Sequence, residues 1–171
     1  VPKKNNRLFY TLSLISFLLA MFSKTVTVTL PAVILLIIWW KKDSIKPKDV
    51  LRVTPFLLLG LILVRITLAT EKIAGTQGVD WAFSFAERFI IAGKALWFYL
   101  YKLIYPLNLI FSYPKWSIDS TMAGNYLPSL AFLALIACLG IFREKLGRTP
   151  LVAILFFAGT LFPALGFFSV Y

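Results

Sequence analysis

The sequence contains no histidine and only one cysteine, Cys138, among its 171 residues. Without histidine, the chain itself has neither a histidine general base nor a histidine zinc ligand. A lone cysteine within an apolar stretch implies neither a disulfide nor a metal site. Glycine-rich phosphate loops, metal-ligand clusters and catalytic-triad patterns are missing as well. We therefore expect no metal and no cofactor in this part of the protein.

Acidic residues are also scarce, with 7 Asp and Glu against 18 Lys and Arg, a net charge of +11. The composition is 60% hydrophobic, whereas soluble domains have about 45–50% apolar residues. These values predict an integral, multi-pass membrane protein. The basic residues stand in short loops between apolar segments, so they indicate orientation and contact with membrane lipids rather than nucleic acid. The chain lacks an initial methionine and ends on an apolar stretch, so we expect an internal fragment of a larger protein.

Apolar segments predict an all-α bundle of membrane helices. The predicted spans are 8–22, 27–40, 53–70, 127–142 and 150–168, and a further apolar segment covers 83–105. The first two are short and are expected to form a hairpin with its turn at Ser23, Lys24 and Thr25. Pro31 falls in the first turn of the second helix, where its missing N–H costs little.

Basic residues in three loops predict the orientation of the spans. These loops carry Lys3, Lys4 and Arg7, then Lys41, Lys42, Lys46, Lys48 and Arg52, then Arg143, Lys145 and Arg148. The positive-inside rule places all three in the cytoplasm, provided that 83–105 does not cross the membrane. Residues 71–126 then form one outer segment, and 83–105 is an amphipathic or re-entrant helix within it. A crossing helix would instead put the third basic loop outside.

Lysine 24 is the first candidate for a functional residue, since an ionisable group inside apolar sequence is costly. Its ammonium could hold a phosphate, supported by the hydroxyls of Ser23 and Thr25, or it could simply snorkel to the membrane surface. Arg65 offers the same two alternatives, because a guanidinium grips phosphate bidentately.

The outer segment supplies the remaining candidates. Arg88 could bind phosphate with Glu87 orienting it, although an acid near a helix start is also typical of a solvated helix terminus. Asp80 could cap that helix or act as a base, and Lys94 lies on its polar arc. The aromatic turn at 113–116 could stack on sugar rings or anchor the chain at the interface. The residues alone fit an enzyme acting on a lipid phosphate, or an anion transporter.

Several strings carry a family resemblance. They are SKTVTVTLP at 23–31 with WWK at 39–41, AERF at 86–89 with GKALWFY at 93–99 and PLNL at 106–109, and FFAGTLFPALGFF at 156–168. In combination they resemble bacterial relatives of the transmembrane and tetratricopeptide-repeat proteins, whose eukaryotic members are protein O-mannosyltransferases. The resemblance covers essentially the whole chain and implies part of a C-type glycosyltransferase fold. The first catalytic loop is expected before the first residue, and the tetratricopeptide repeats after the last.

This resemblance implies transfer of a sugar, mannose in the eukaryotic members, from a polyprenyl-phosphate donor to a hydroxyl of an acceptor protein. It favours Lys24 as a donor-phosphate contact, because related enzymes have a lysine in a comparable turn, and Arg88 and Arg65 follow it. The expected location is a bacterial inner membrane, with the site facing the periplasm or exterior. A transporter or flippase of an anionic lipid or sugar phosphate, and a non-catalytic anchor for a repeat domain, remain as alternatives.

Overall fold

The computed structural model describes residues 3–73, 83–110, 113–114 and 116–167, and these ranges contain helices and connecting turns but no strand. The predicted all-α class is thus confirmed for the described residues. The chain divides into two compact units, Val1–Thr76 and Gln77–Tyr171, here called the N-terminal and C-terminal units. Each is described by itself.

The N-terminal unit is built around one long helix. Its elements are α1 (Lys3–Ser23), a 3₁₀ helix (Thr25–Thr29), α2 (Leu30–Lys42) and α3 (Pro47–Ile73). Helix α3 packs against α1, the 3₁₀ helix and α2. The core consists of Phe17, Met21 and Phe56, and the rings of Phe17 and Phe56 meet edge to face at 5.4 Å. These contacts join residues that are far apart in sequence.

The turn predicted at Lys24 is present in the structure. Helix α1 ends at Ser23, and Lys24 adopts an extended conformation with φ −155° and ψ 119°. Its N–H donates to the Ala20 carbonyl at 2.9 Å, and its carbonyl accepts from the Thr27 N–H at 3.1 Å. Pro31 lies in the first turn of α2 and is buried. The polar residues at 23–25 therefore interrupt two apolar helices, as the sequence indicated.

Helix α3 begins at Pro47, well before the predicted start at residue 53. Proline suits a first helical turn, where its fixed φ is already helical. The Asp49 carboxylate accepts from the Lys46 N–H at 3.3 Å and from Lys42 Nζ at 3.5 Å. Hydropathy assigned this polar stretch to a loop, whereas the local hydrogen bonds make it the first turn of the helix.

The C-terminal unit contains two packed pairs of helices. Its elements are α4 (Phe85–Ile104), a 3₁₀ helix (Ala123–Tyr126), α5 (Leu127–Ile141), α6 (Arg143–Leu146), α7 (Thr149–Leu161) and a second 3₁₀ helix (Phe162–Ala164). Helix α5 packs against both α4 and α7. The buried core includes Ala92, Ala95, Leu96, Phe132 and Leu165. Ala92, Ala95 and Leu96 of α4 are therefore buried in this core, whereas Phe85 and Leu103 of the same helix are exposed.

Helix α7 ends at Leu161, earlier than the predicted end at residue 168. Pro163 lies in the 3₁₀ helix that follows, and proline cannot donate the next helical hydrogen bond. Beyond it, Gly166 has φ +86°, a left-handed conformation that glycine adopts without a steric penalty. The chain turns back toward α4 at this point, where a Cβ atom added at Gly166 would lie 3.6 Å from the Ile91 side chain.

Three helical stretches among the described residues are long and apolar enough to cross a membrane. They are Thr25–Lys42, Pro47–Thr70 and Ala123–Ile141. Arg7–Ser23 and Thr149–Ala164 are apolar but shorter. Helix α4 is not among them, and its 20 residues include Glu87, Arg88, Lys94 and Lys102. That α4 stays on the outer side of a membrane remains a prediction.

Candidate functional site

A cavity of about 670 Å³ lies between the middle of α4 and the start of α5. Its lining residues are Lys94, Trp97, Trp116, Ser117, Leu127, Pro128 and Ala131. The lining is mainly apolar and aromatic, but it includes one ammonium group and one hydroxyl. A few polar groups in an otherwise apolar cavity are typical of ligand-binding sites.

Lysine 94 is held in the cavity wall by a chain of hydrogen bonds. Its Nζ donates to Asn125 Oδ1 at 3.0 Å, and Asn125 Nδ2 donates to the Asp119 carbonyl at 2.8 Å. The Asp119 carboxylate accepts from the hydroxyl and the N–H of Thr121 at 2.6 and 2.8 Å. These two bonds lower the pKa of Asp119 below its ordinary value. The Lys94 ammonium is thus oriented by a neutral amide, which leaves its positive charge uncompensated by this contact.

Two indoles form the aromatic walls of the cavity. Trp97 Nε1 donates to the Pro128 carbonyl at 2.9 Å, and its ring meets Phe132 edge to face at 5.9 Å. Trp116 meets the Phe98 ring at 5.7 Å. The hydrogen bond and the contact with Phe132 therefore fix the orientation of the Trp97 ring. The ring contact with Phe98 holds Trp116. An aromatic face can pack on the C–H face of a sugar, while the neighbouring ammonium can attract a phosphate.

Arginine 88 ties the start of α4 to the turn that follows α7. Its Nε donates to the Phe83 carbonyl at 3.1 Å, and its Nη1 donates to the carbonyls of Gly166 and Phe167. Charge-assisted bonds of this kind are stronger than neutral ones. The described contacts of Arg88 are therefore structural, and its role in phosphate binding remains a prediction. Lys94 lies six positions further along α4, about 9 Å along the axis, and has a different partner.

A capping box begins helix α4. The Ser84 hydroxyl accepts from the Glu87 N–H at 3.3 Å, and Glu87 Oε2 accepts from the Ser84 N–H at 2.7 Å. The suggested cap by Asp80 is therefore wrong, because the helix begins at Phe85 and Ser84 occupies the N-cap position. Asp80 itself lies outside the described residues. The pattern S-x-x-E at 84–87 is the sequence signal that identifies this cap.

The capping box predicts a pH dependence of stability. Hydrogen bonds from the backbone and the side chain of Ser84 hold the pKa of the Glu87 carboxyl below its ordinary value of 4.5. A carboxyl with a lowered folded-state pKa stabilises the fold fully above its unfolded pKa, and this contribution is lost as the pH falls through the folded value. We expect Glu87→Gln to lower the thermal stability at pH 7 and to reduce its decline between pH 5 and pH 3.

The measurement is thermal unfolding of the detergent-purified protein across that pH range. Glu144→Gln, which removes an exposed carboxyl from α6, is the charge-matched control and should keep the wild-type pH profile. A wild-type profile in Glu87→Gln would mean that the capping box does not contribute to stability.

The other predicted site residues belong to the N-terminal unit. Lys24, Ser23 and Arg65 are exposed, and Thr25 is half-buried. The Tyr10 hydroxyl donates to the Arg52 carbonyl at 2.8 Å, and further along both helices Phe17 packs on Phe56. Helices α1 and α3 therefore run in the same direction.

Lys24 follows Tyr10 by 14 residues and Arg65 follows Arg52 by 13, spans of about 20 Å each along a helix. The two cations accordingly lie at the same end of the N-terminal unit.

The sequence predicts Lys94 as a supporting residue, but it does not predict Trp97 and Asn125 as the neighbours of Lys94. No local pattern identifies Asn125, since the contact joins residues 31 positions apart. The sequence predicts Trp116 as part of the aromatic turn at 113–116, but it does not predict the contact with Phe98.

The described residues define an all-helical protein with several apolar helices and a cationic, aromatic cavity. Comparison with protein-family models, with curated proteins and with solved structures finds no match for this chain. Its function is therefore inferred from the site and from the sequence resemblance.

Proposed function

We propose that this chain is part of a multi-pass membrane glycosyltransferase of the C-type fold. It would transfer a sugar, mannose by the resemblance, from a polyprenyl-phosphate donor to a protein hydroxyl on the extracytoplasmic side of a bacterial inner membrane. The observation that carries the proposal is the cavity beside Lys94, where an ammonium group adjoins two indoles. This chemistry suits a sugar phosphate, whose two parts need a cation and an apolar face.

The role of Lys94 in this proposal is to attract the donor phosphate. The phosphate is the leaving group in such a transfer, and a cation stabilises the negative charge that develops on it. Asn125 orients the ammonium without neutralising it. Trp97 and Trp116 would exclude water and pack on the sugar.

The N-terminal unit offers a second cationic surface, formed by Lys24 and Arg65. Both side chains are exposed at the same end of that unit, and the exposed Ser23 directly precedes Lys24 in the chain. An exposed cation next to apolar helices can contact a lipid phosphate at the membrane surface. In this proposal Lys24 and Arg65 are each a contact for a lipid phosphate, as the resemblance implies.

The test is binding of a polyprenyl-phosphate mannose to the full-length protein in nanodiscs. We expect Lys94→Gln to weaken binding about 10- to 100-fold, because a hydrogen bond to a charged group contributes about 1.5–3 kcal/mol. Lys145→Gln removes an exposed lysine of the same unit and is the matched control, with binding expected to be unchanged. Thermal unfolding of both variants shows whether the fold is retained.

Three outcomes would overturn the proposal. Equal binding by wild type and Lys94→Gln would exclude the cavity as the donor site. Equal losses in Lys94→Gln and Lys145→Gln would indicate attraction by net charge alone. In proteoliposomes, movement of the intact donor between the two leaflets without transfer to protein would favour the flippase.

A further inference from the structure

The junction between α2 and α3 concentrates positive charge at one end of the N-terminal unit. Between residues 41 and 54 there are five basic residues and two acidic ones. The basic residues are Lys41, Lys42, Lys46, Lys48 and Arg52, and all are exposed. Of the two acids, Asp43 is exposed, whereas Asp49 is only 6% exposed and accepts from Lys42 Nζ and the Lys46 N–H. The exposed surface of this junction is therefore strongly cationic.

An apolar groove of about 420 Å³ lies within this cationic surface. It is lined by Ile45, Pro47, Val50, Leu51 and Thr54. The last four follow helical spacing and form one side of α3. Leu51 is 73% exposed, and the Thr54 hydroxyl donates to the Val50 carbonyl at 2.9 Å. The groove thus presents apolar surface directly beside exposed ammonium groups.

The groove continues into an apolar face of the same helix. Leu58, Leu61, Ile62 and Ile66 are exposed along α3 beyond Leu51. The opposite side of α3 is buried through Val53 and Phe56. At the other edge of the junction, α2 ends with Trp39 and Trp40, and tryptophan is enriched at the headgroup level of membranes. Charge, groove and apolar face follow the order of a lipid's headgroup, glycerol region and acyl chain.

We propose that this junction is a binding site for one anionic phospholipid, with the headgroup phosphate on Lys46 and Lys48, the glycerol region in the groove at Leu51 and an acyl chain along the apolar face of α3. The occupant is a lipid rather than a protein segment, because the groove opens onto an apolar face of membrane-spanning length. The positive-inside prediction puts this junction on the cytoplasmic side, where anionic lipids accumulate. The inference requires only that α3 spans a bilayer and is independent of the transfer reaction.

The test is native mass spectrometry of the full-length protein released from detergent, titrated with dioleoyl phosphatidylglycerol or dioleoyl phosphatidylcholine. We expect one phosphatidylglycerol molecule to bind at least tenfold more tightly than phosphatidylcholine. Lys46→Gln with Lys48→Gln should weaken phosphatidylglycerol binding about 10- to 30-fold, since each basic residue near the surface contributes about a fivefold effect. Leu51→Asn, with every charge kept, should weaken binding of both lipids.

The matched control is Arg143→Gln with Lys145→Gln, which removes two exposed charges from α6. It should leave phosphatidylglycerol binding unchanged. Equal losses in both double variants would indicate attraction by net charge alone and would overturn the site. Equal binding of the two lipids, or unchanged binding by Leu51→Asn, would overturn it as well. Thermal unfolding of each variant verifies that the fold is retained.

Discussion

Replacing Gly93 by alanine is expected to destabilise the C-terminal unit by about 3 kcal/mol, because a side chain cannot fit between α4 and α5. A Cβ atom at this position would lie 2.1 Å from Ser129 Oγ and 2.5 Å from the Ser129 backbone nitrogen. The helices would have to separate, and the 2.7 Å bond from the Ser129 hydroxyl to the Phe89 carbonyl would be disturbed.

The measurement is thermal unfolding of the purified protein in detergent. For a chain of this size, the expected loss corresponds to a decrease in Tm of about 6–12 °C. Gly140→Ala is the control, since a Cβ at this helical position of α5 meets nothing within 4 Å. It should keep or slightly raise the stability, because alanine favours a helix more than glycine does. An unchanged Tm for Gly93→Ala would mean that α4 and α5 do not approach each other this closely.

Replacing Arg88 by methionine is the other change with a large expected effect. It would remove hydrogen bonds from the carbonyls of Phe83, Gly166 and Phe167, which join the start of α4 to the end of α7. Hydrogen bonds to a charged group contribute about 1.5–3 kcal/mol each, so we expect a loss of about 3 kcal/mol overall. Limited proteolysis and thermal unfolding should both show a looser C-terminal end.

Arg88→Lys separates the structural role from a role in phosphate binding. Lysine keeps the charge, but a single ammonium cannot reach both the Phe83 carbonyl and the carbonyls of Gly166 and Phe167, which the guanidinium joins. If the role of Arg88 is structural, Arg88→Lys should lose nearly as much stability as Arg88→Met. Arg143→Met, at an exposed position of α6, should change the stability by no more than about 0.5 kcal/mol. Wild-type stability in Arg88→Lys, combined with weaker donor binding, would instead support the phosphate contact.

Local patterns in the sequence determined where most helices lie. Hydropathy located the apolar helices, and the polar residues at Ser23 and Lys24 marked the turn between two of them. Pro163 and the S-x-x-E pattern at Ser84 were also readable, since proline breaks a helix and a capping box closes within one turn. These features depend on residues within a few positions of each other, and each could therefore be predicted without knowing the packing.

Only the tertiary structure decided which side chains meet. It paired Lys94 with Asn125, Arg88 with the carbonyl of Gly166, and Gly93 with Ser129, and the two hydrogen bonds span 31 and 78 residues. Such pairs depend on which faces of two helices approach each other and on how far the helices are shifted along their axes. A uniformly apolar sequence leaves both nearly undetermined. The sequence by itself therefore determined the helices and their polar residues, whereas the cavity beside Lys94 depends on how α4, α5 and the segment at 116–117 pack together.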